Sequence, residues 1–132
     1  MVEDKLHIAA LNKSFVIKHS NKNMKASYRF QLEMAKAGDI AESDDVTEQF
    51  KKAAEYSDIL LNFPTEILKL TDSQRDKLDD MEQVDLQDLD VRLALTIQGI
   101  DKKTINETIK EMHQPVVDDD NKSESDDSST AD

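Results

Sequence analysis

The chain has 132 residues, 37% of them hydrophobic and 5% aromatic, and carries a net charge of −12 from 17 Lys+Arg against 29 Asp+Glu. That bounds it to one domain with a small aliphatic core, and argues against nonspecific binding to nucleic acid or to an anionic bilayer. There is no cysteine, which excludes a disulfide framework, a thiolate zinc site and a cysteine nucleophile, and two glycines with two prolines are too few for a many-stranded β protein.

The first twenty residues hold the β candidate. Leu6, Ile8 and Ala10 alternate with polar or small neighbours, and Phe15-Val16-Ile17 is β-branched and aromatic. Asn12-Lys13 between them reads as a two-residue hairpin loop, because Asn tolerates the left-handed conformation such a loop needs. From Ser20 onward the pattern is helical. Ser20, Asn21 and Asn23 are candidate caps for a helix to about Ala37, with Met24, Tyr28, Leu32 and Ala35 as its apolar stripe and Gly38 as its stop. Asp45 with Glu48 resembles a capping box, opening a helix whose buried stripe is Val46, Phe50, Ala53, Ala54, Leu60 and Leu61, running to Asn62. Pro64 is expected to break it and to start a turn holding Ile67, Leu68 and Leu70.

Thr71 and Gln74 form the better capping box, for a short polar helix through about Met81 that contacts the core through Leu78 and Met81. Asp85 then caps the most apolar helix, Leu86 to Ile97, which Gly99 stops and which is expected to be central. Asp101 caps a last amphipathic helix carrying Ile105, Ile109 and Met112, ending by Gln114 before Pro115. The fold class expected is mainly α: a short N-terminal β-hairpin and four or five short helices around one core, over residues 1–115. Residues 116–132 hold seven acidic side chains against Lys122, half of the net charge, with almost nothing to bury. They are expected to form a disordered acidic C-terminal tail.

No catalytic, cofactor-binding or metal site is assigned. His7 and His19 can face each other across the hairpin, but are read as exposed strand-end residues, and His113 as a cation at a helix C-terminus. Asp85, Asp88 and Asp90 lack the spacing and the glycine of a calcium loop, as do Asp118 and Asp120, where Lys122 takes the next ligand position. Helix capping and dipole complementation are expected of the first cluster. Ser14, Ser20 and Ser27 have no nucleophile context, and Gly38 and Gly99 build no phosphate loop. Lys13, Lys18, Lys22, Lys25 and Arg29, with Tyr28 and Phe30 beside them, make the start locally basic, and read as a solvated face with two core aromatics rather than a nucleic-acid patch. Basic start and acidic end make the chain dipolar, an arrangement that permits head-to-tail association. Met24, Met34, Met81 and Met112 suit adaptable client contacts, but lie on helix stripes and read as core.

The segment LHIAALNKSFVIKH, followed by a small helical domain and an acidic tail, resembles the tail assembly chaperones of long-tailed bacteriophages over roughly residues 5–114. The resemblance implies a non-enzymatic protein of the host cytoplasm that coats the long, helical tape measure protein before the tail tube forms around it. It also implies homo-oligomers, and a frameshifted longer product for which this chain is the short form. No nucleic-acid or membrane partner and no cofactor is expected. The alternative is an acidic inhibitor or DNA mimic that binds a basic host protein, which requires carboxylates displayed on a rigid surface.

Overall fold

In the computed structural model, which describes residues 4–37 and 45–113, the N-terminal alternation does form a hairpin, β1 (Asp4–Ile8) against β2 (Lys13–Ile17). The strands are antiparallel with Leu6 opposite Phe15 and His7 opposite Ser14. Leu6, Ile8 and Ile17 are buried on the core face. The turn is longer than the two residues expected: Ala9–Leu11 make a 3-10 turn, Asn12 alone takes the left-handed conformation (φ 49°), and Lys13 already belongs to β2. Ala10 accordingly sits exposed in the turn and not on the core face.

Five helices follow among the described residues. In α1 (Asn21–Ala37), Ser20 accepts from the Asn23 N–H at 3.2 Å, which satisfies one of the free donors of the first turn. Asp45 caps α2 (Val46–Leu68), accepting from the Thr47 N–H at 2.9 Å. Pro64 does not break this helix; it lies inside it, fully buried. The ring offers no N–H to the Leu60 carbonyl, so one helical bond is forgone, while burial of the ring and of Leu60, Leu61 and Phe63 around it carries the helix through. α2 ends instead at Lys69, whose left-handed backbone (φ 53°) directs its N–H to the Thr65 carbonyl.

The Thr71/Gln74 capping box is present in both directions at the start of α3 (Asp72–Asp79), and Leu78 plugs that helix into the core. α4 (Gln83–Ile97) begins three residues before the expected Leu86, so Asp85 lies within its first turn rather than capping it. Its end is a Schellman motif: Gly99 at φ 84°, with the Gly99 N–H on the Thr96 carbonyl and the Ile100 N–H on the Leu95 carbonyl. Asp101 caps α5 (Lys102–His113), accepting from the Thr104 N–H at 3.1 Å and the Thr104 hydroxyl at 2.7 Å, and these bonds hold its carboxyl below the usual range.

α4 is the central helix, touching α1, α2, α5 and β1. Leu93, Ala94 and Ile97 are buried along it, and Leu60, Leu78 and Ile105 are among the other fully buried side chains. α1 and α2 pack as an antiparallel pair, pinned by stacked Phe30 and Phe63 rings 4.5 Å apart. Gly38 and the acidic segment from 116 onward, to which the stop of α1 and the tail were assigned, lie outside the described residues.

Candidate functional site

Of the stripe expected on α1, Met24 packs against the core while Tyr28, Leu32 and Ala35 are exposed. Ala26, Ser27 and Phe30 are the buried residues, with Met34 half-buried against the core. Tyr28 and Leu32, from the stripe expected to be apolar contact surface, are 53% and 57% exposed. Ser27 fits inside because it is small and its hydroxyl is satisfied, donating to the Met24 carbonyl at 2.8 Å and accepting from Gln98 at 3.2 Å.

The departure is larger on α2. Leu60 and Leu61 are buried as expected, but Val46 and Phe50 are 57% and 71% exposed, and Ala53 and Ala54 are exposed with them. The reason is length. Arg29 facing Glu66 and Phe30 facing Phe63 set an antiparallel register that brings the last residue of α1 level with the middle of α2. Gln83, the first residue of α4, donates to Ser57 at 2.7 Å, and Tyr56 donates to Gln87 at 2.9 Å. Both neighbours therefore come level with α2 near residue 57, and the ten residues before it project about 15 Å further, at about 1.5 Å per residue. The apolar stripe runs the whole length of α2; the helices that cover it run only half. Val84, 49% exposed beside Gln83, adds to the apolar surface where α4 begins. Below the overhang, an open cleft of about 320 Å³ between α1 and α2 is lined by Glu33, Lys36, Lys52, Glu55, Tyr56 and Ile59, with its charges balanced.

The histidines do structural work. His7 and His19 do not face each other: His7 lies across from Ser14 with Nδ1 3.1 Å from its hydroxyl. His19, beyond the end of β2, reaches both the Ile97 carbonyl at 2.8 Å and Asp4 at 2.8 Å, tying the hairpin to the end of α4. The Ile97 carbonyl and the Asp4 carboxylate both favour the imidazolium, and its pKa is raised. His113 does more than face a helix end, since its Nε2 is 2.6 Å from the Asp88 carboxylate. Among the described residues no three His, Asp or Glu side chains come together as a metal site.

The Asp85, Asp88 and Asp90 cluster is not a capping group. Asp85 alone occupies the first turn of α4, Asp88 pairs with His113, and Asp90 is completely buried with neither carboxylate oxygen hydrogen-bonded. Burial pushes the Asp90 carboxyl up to about 9, so it is neutral at pH 7. Of the basic start, Arg29 forms a forked pair with Glu66 at 3.0 and 3.1 Å, the Lys13 ammonium sits 5.0 Å from the Phe15 ring, and Lys18 and Lys22 line an open groove with Lys69. Phe30 is core, Tyr28 is not. Of the methionines, Met24, Met34 and Met81 pack against the core and Met112 is 42% exposed. No helix among the described residues is long and apolar enough to cross a membrane.

What the arrangement offers is an apolar helical face that no other helix among the described residues covers, with no assembled acid, base or nucleophile beside it among those residues. Compared with known sequences, residues 4–114 match the family model of phage tail assembly chaperone proteins, TAC. No curated protein and no solved structure matches the chain.

Proposed function

Because the chain belongs to the phage tail assembly chaperone family, we propose that it is a non-enzymatic chaperone that binds the tape measure protein and keeps it soluble in the host cytoplasm while the tail is built. The observation that carries this reading is the overhang of α2: Phe50, the most exposed large apolar side chain described, on one stripe with Val46, Ala53 and Ala54. A long amphipathic client helix buries its own apolar stripe by lying against such a face, the helix-on-groove mode of recognition. An exposed phenylalanine ring at the centre of a small apolar patch is also the kind of anchor that carries a large share of a binding energy.

Binding of this kind needs no catalytic group. It needs many copies along a long client, and the acidic exterior keeps those copies soluble before they load. Asp45 and Asp101 are engaged as helix caps and Asp4, Glu66 and Asp88 in pairs, and the family match favours the chaperone reading over an acidic inhibitor. Co-expression with the tape measure protein, followed by size-exclusion chromatography with light scattering, tests the proposal. The tape measure protein is expected in the soluble fraction only when this chain is present, in a complex containing several copies of it; a tape measure protein that stays insoluble overturns the reading.

A further inference from the structure

A second surface lies apart from the α2 overhang. Among the described residues β2 is at the edge of a two-stranded sheet, so one row of its backbone groups is not paired to a strand there. Between it and the C-terminal end of α2 runs an open groove of about 420 Å³. Phe15, Val16, Ile67 and Leu68 give it an apolar lining, and Lys18, Lys22 and Lys69 stand around it. Glu66, the acidic residue of the groove, is already matched by Arg29 at 3.0 and 3.1 Å. None of the three lysines is in an ion pair among the described residues. In a chain of net charge −12, this is a concentrated positive site with an apolar centre.

The complementary sequence is in the same chain. Asp118, Asp119 and Asp120 follow within seven residues of His113, with Glu124, Asp126 and Asp127 beyond. The distances allow it to arrive. α5 ends at His113, fixed to Asp88 of α4, while His19, between the groove-lining Lys18 and Ser20, is fixed to Ile97 of the same helix. Those two anchor points are about nine residues apart, about 14 Å along the helix axis. The roughly seven residues from His113 to Asp120 extend up to about 25 Å. Attachment in one chain also raises the local concentration of the segment to the millimolar range, so weak individual pairs suffice.

We propose that the groove is the docking site of the chain's own acidic segment 118–127, with its carboxylates against Lys18, Lys22 and Lys69. The docked segment shields the edge of β2 from pairing with other strands. This does not depend on the identity of the client, since the groove and the α2 overhang are different surfaces.

The full chain is suited to a direct test because it contains no cysteine, so Ser123→Cys gives a single attachment point for a nitroxide. Amide signals of residues 15–18 and 67–69 are expected to fall below half their diamagnetic intensity at low ionic strength. They are expected to recover at about 0.5 M salt, where the Debye length is only a few ångströms. The effect persists when the labelled protein is diluted into a tenfold excess of unlabelled chain, and disappears in the Lys18→Glu/Lys22→Glu variant while the rest of that variant's spectrum stays in place. Unaffected amides overturn the proposal, as does broadening that survives the charge reversal. Broadening that vanishes on dilution also overturns it, since the occupant is then a second copy.

Discussion

Replacing Asp90 by asparagine turns a titrating core group into a non-titrating one of the same shape. Asp90 is fully buried, neither oxygen has a hydrogen-bond partner, and its carboxyl is pushed from 3.8 up to about 9. A raised carboxyl works against folding as the pH climbs. Above 3.8 the unfolded chain releases a proton that the folded chain retains, so stability falls with rising pH until the folded group itself ionises near 9. At about 1.36 kcal/mol per pH unit, the disadvantage at pH 7 is about 4 kcal/mol. The amide of the Asp90→Asn variant carries none of it. Urea denaturation of wild type and Asp90→Asn, followed by circular dichroism at pH 5, 6, 7 and 8, isolates the effect, because every other titrating group cancels in the difference. The variant is expected to gain on the wild type by about 1.4 kcal/mol per pH unit, about 4 kcal/mol across the series. At pH 5 the two differ least, since a neutral carboxyl and an amide are both unpartnered polar groups of similar size. A difference that stays constant from pH 5 to pH 8 refutes a neutral, buried Asp90.

His19 titrates in the opposite sense. Its pKa is raised by the Ile97 carbonyl first and by Asp4, so its contribution is full below about pH 6.5 and is lost as pH rises through the folded value. The stability difference between wild type and His19→Gln is expected to shrink between pH 5.5 and pH 8 when the same denaturation series is run. Gly99→Ala is expected to cost about 1 kcal/mol by thermal or urea denaturation, all of it from the backbone, because φ is 84° and an added Cβ meets nothing within 4 Å. Leu93→Ala, in a position with no exposed surface, is expected to cost about 2–5 kcal/mol in the same measurement. Phe50→Asp is expected to leave stability within about 0.5 kcal/mol, as a substitution on an exposed helix surface.

The elements were legible in the sequence wherever a local device makes them. Thr71 and Gln74 cap α3 reciprocally, Asn12 supplies the left-handed residue of the hairpin turn, Gly99 closes α4 and Asp101 opens α5. Each works through atoms a few residues apart, so the pattern alone carries it. What the pattern did not carry is which face is covered. On α1 the buried face is built from Ala26 and Ser27, whose small side chains let helices approach closely and contribute little hydrophobic signal, while the larger Tyr28 and Leu32 point outward. On α2 the apolar stripe continues past the neighbours that cover its second half, a matter of relative helix lengths that no local window contains.

Two further misses have the same character. Pro64 reads as a stop, yet the helix passes through it because tertiary burial outweighs one absent bond. Asp90 reads as one more carboxylate near a helix start, and only the packing of α4 among its neighbours reveals that it is enclosed. The surface that the proposed function rests on is therefore the place where the sequence pattern and the tertiary structure disagree.

The most direct measurement of the central claim is co-expression of the tape measure protein with wild type and with Phe50→Asp, reading the soluble fraction and the bound mass by light scattering. The account requires that the variant, with unchanged denaturation midpoint, no longer brings the tape measure protein into solution. A Phe50→Asp chain that solubilises it as well as wild type contradicts the assignment of the α2 overhang as the client-binding face.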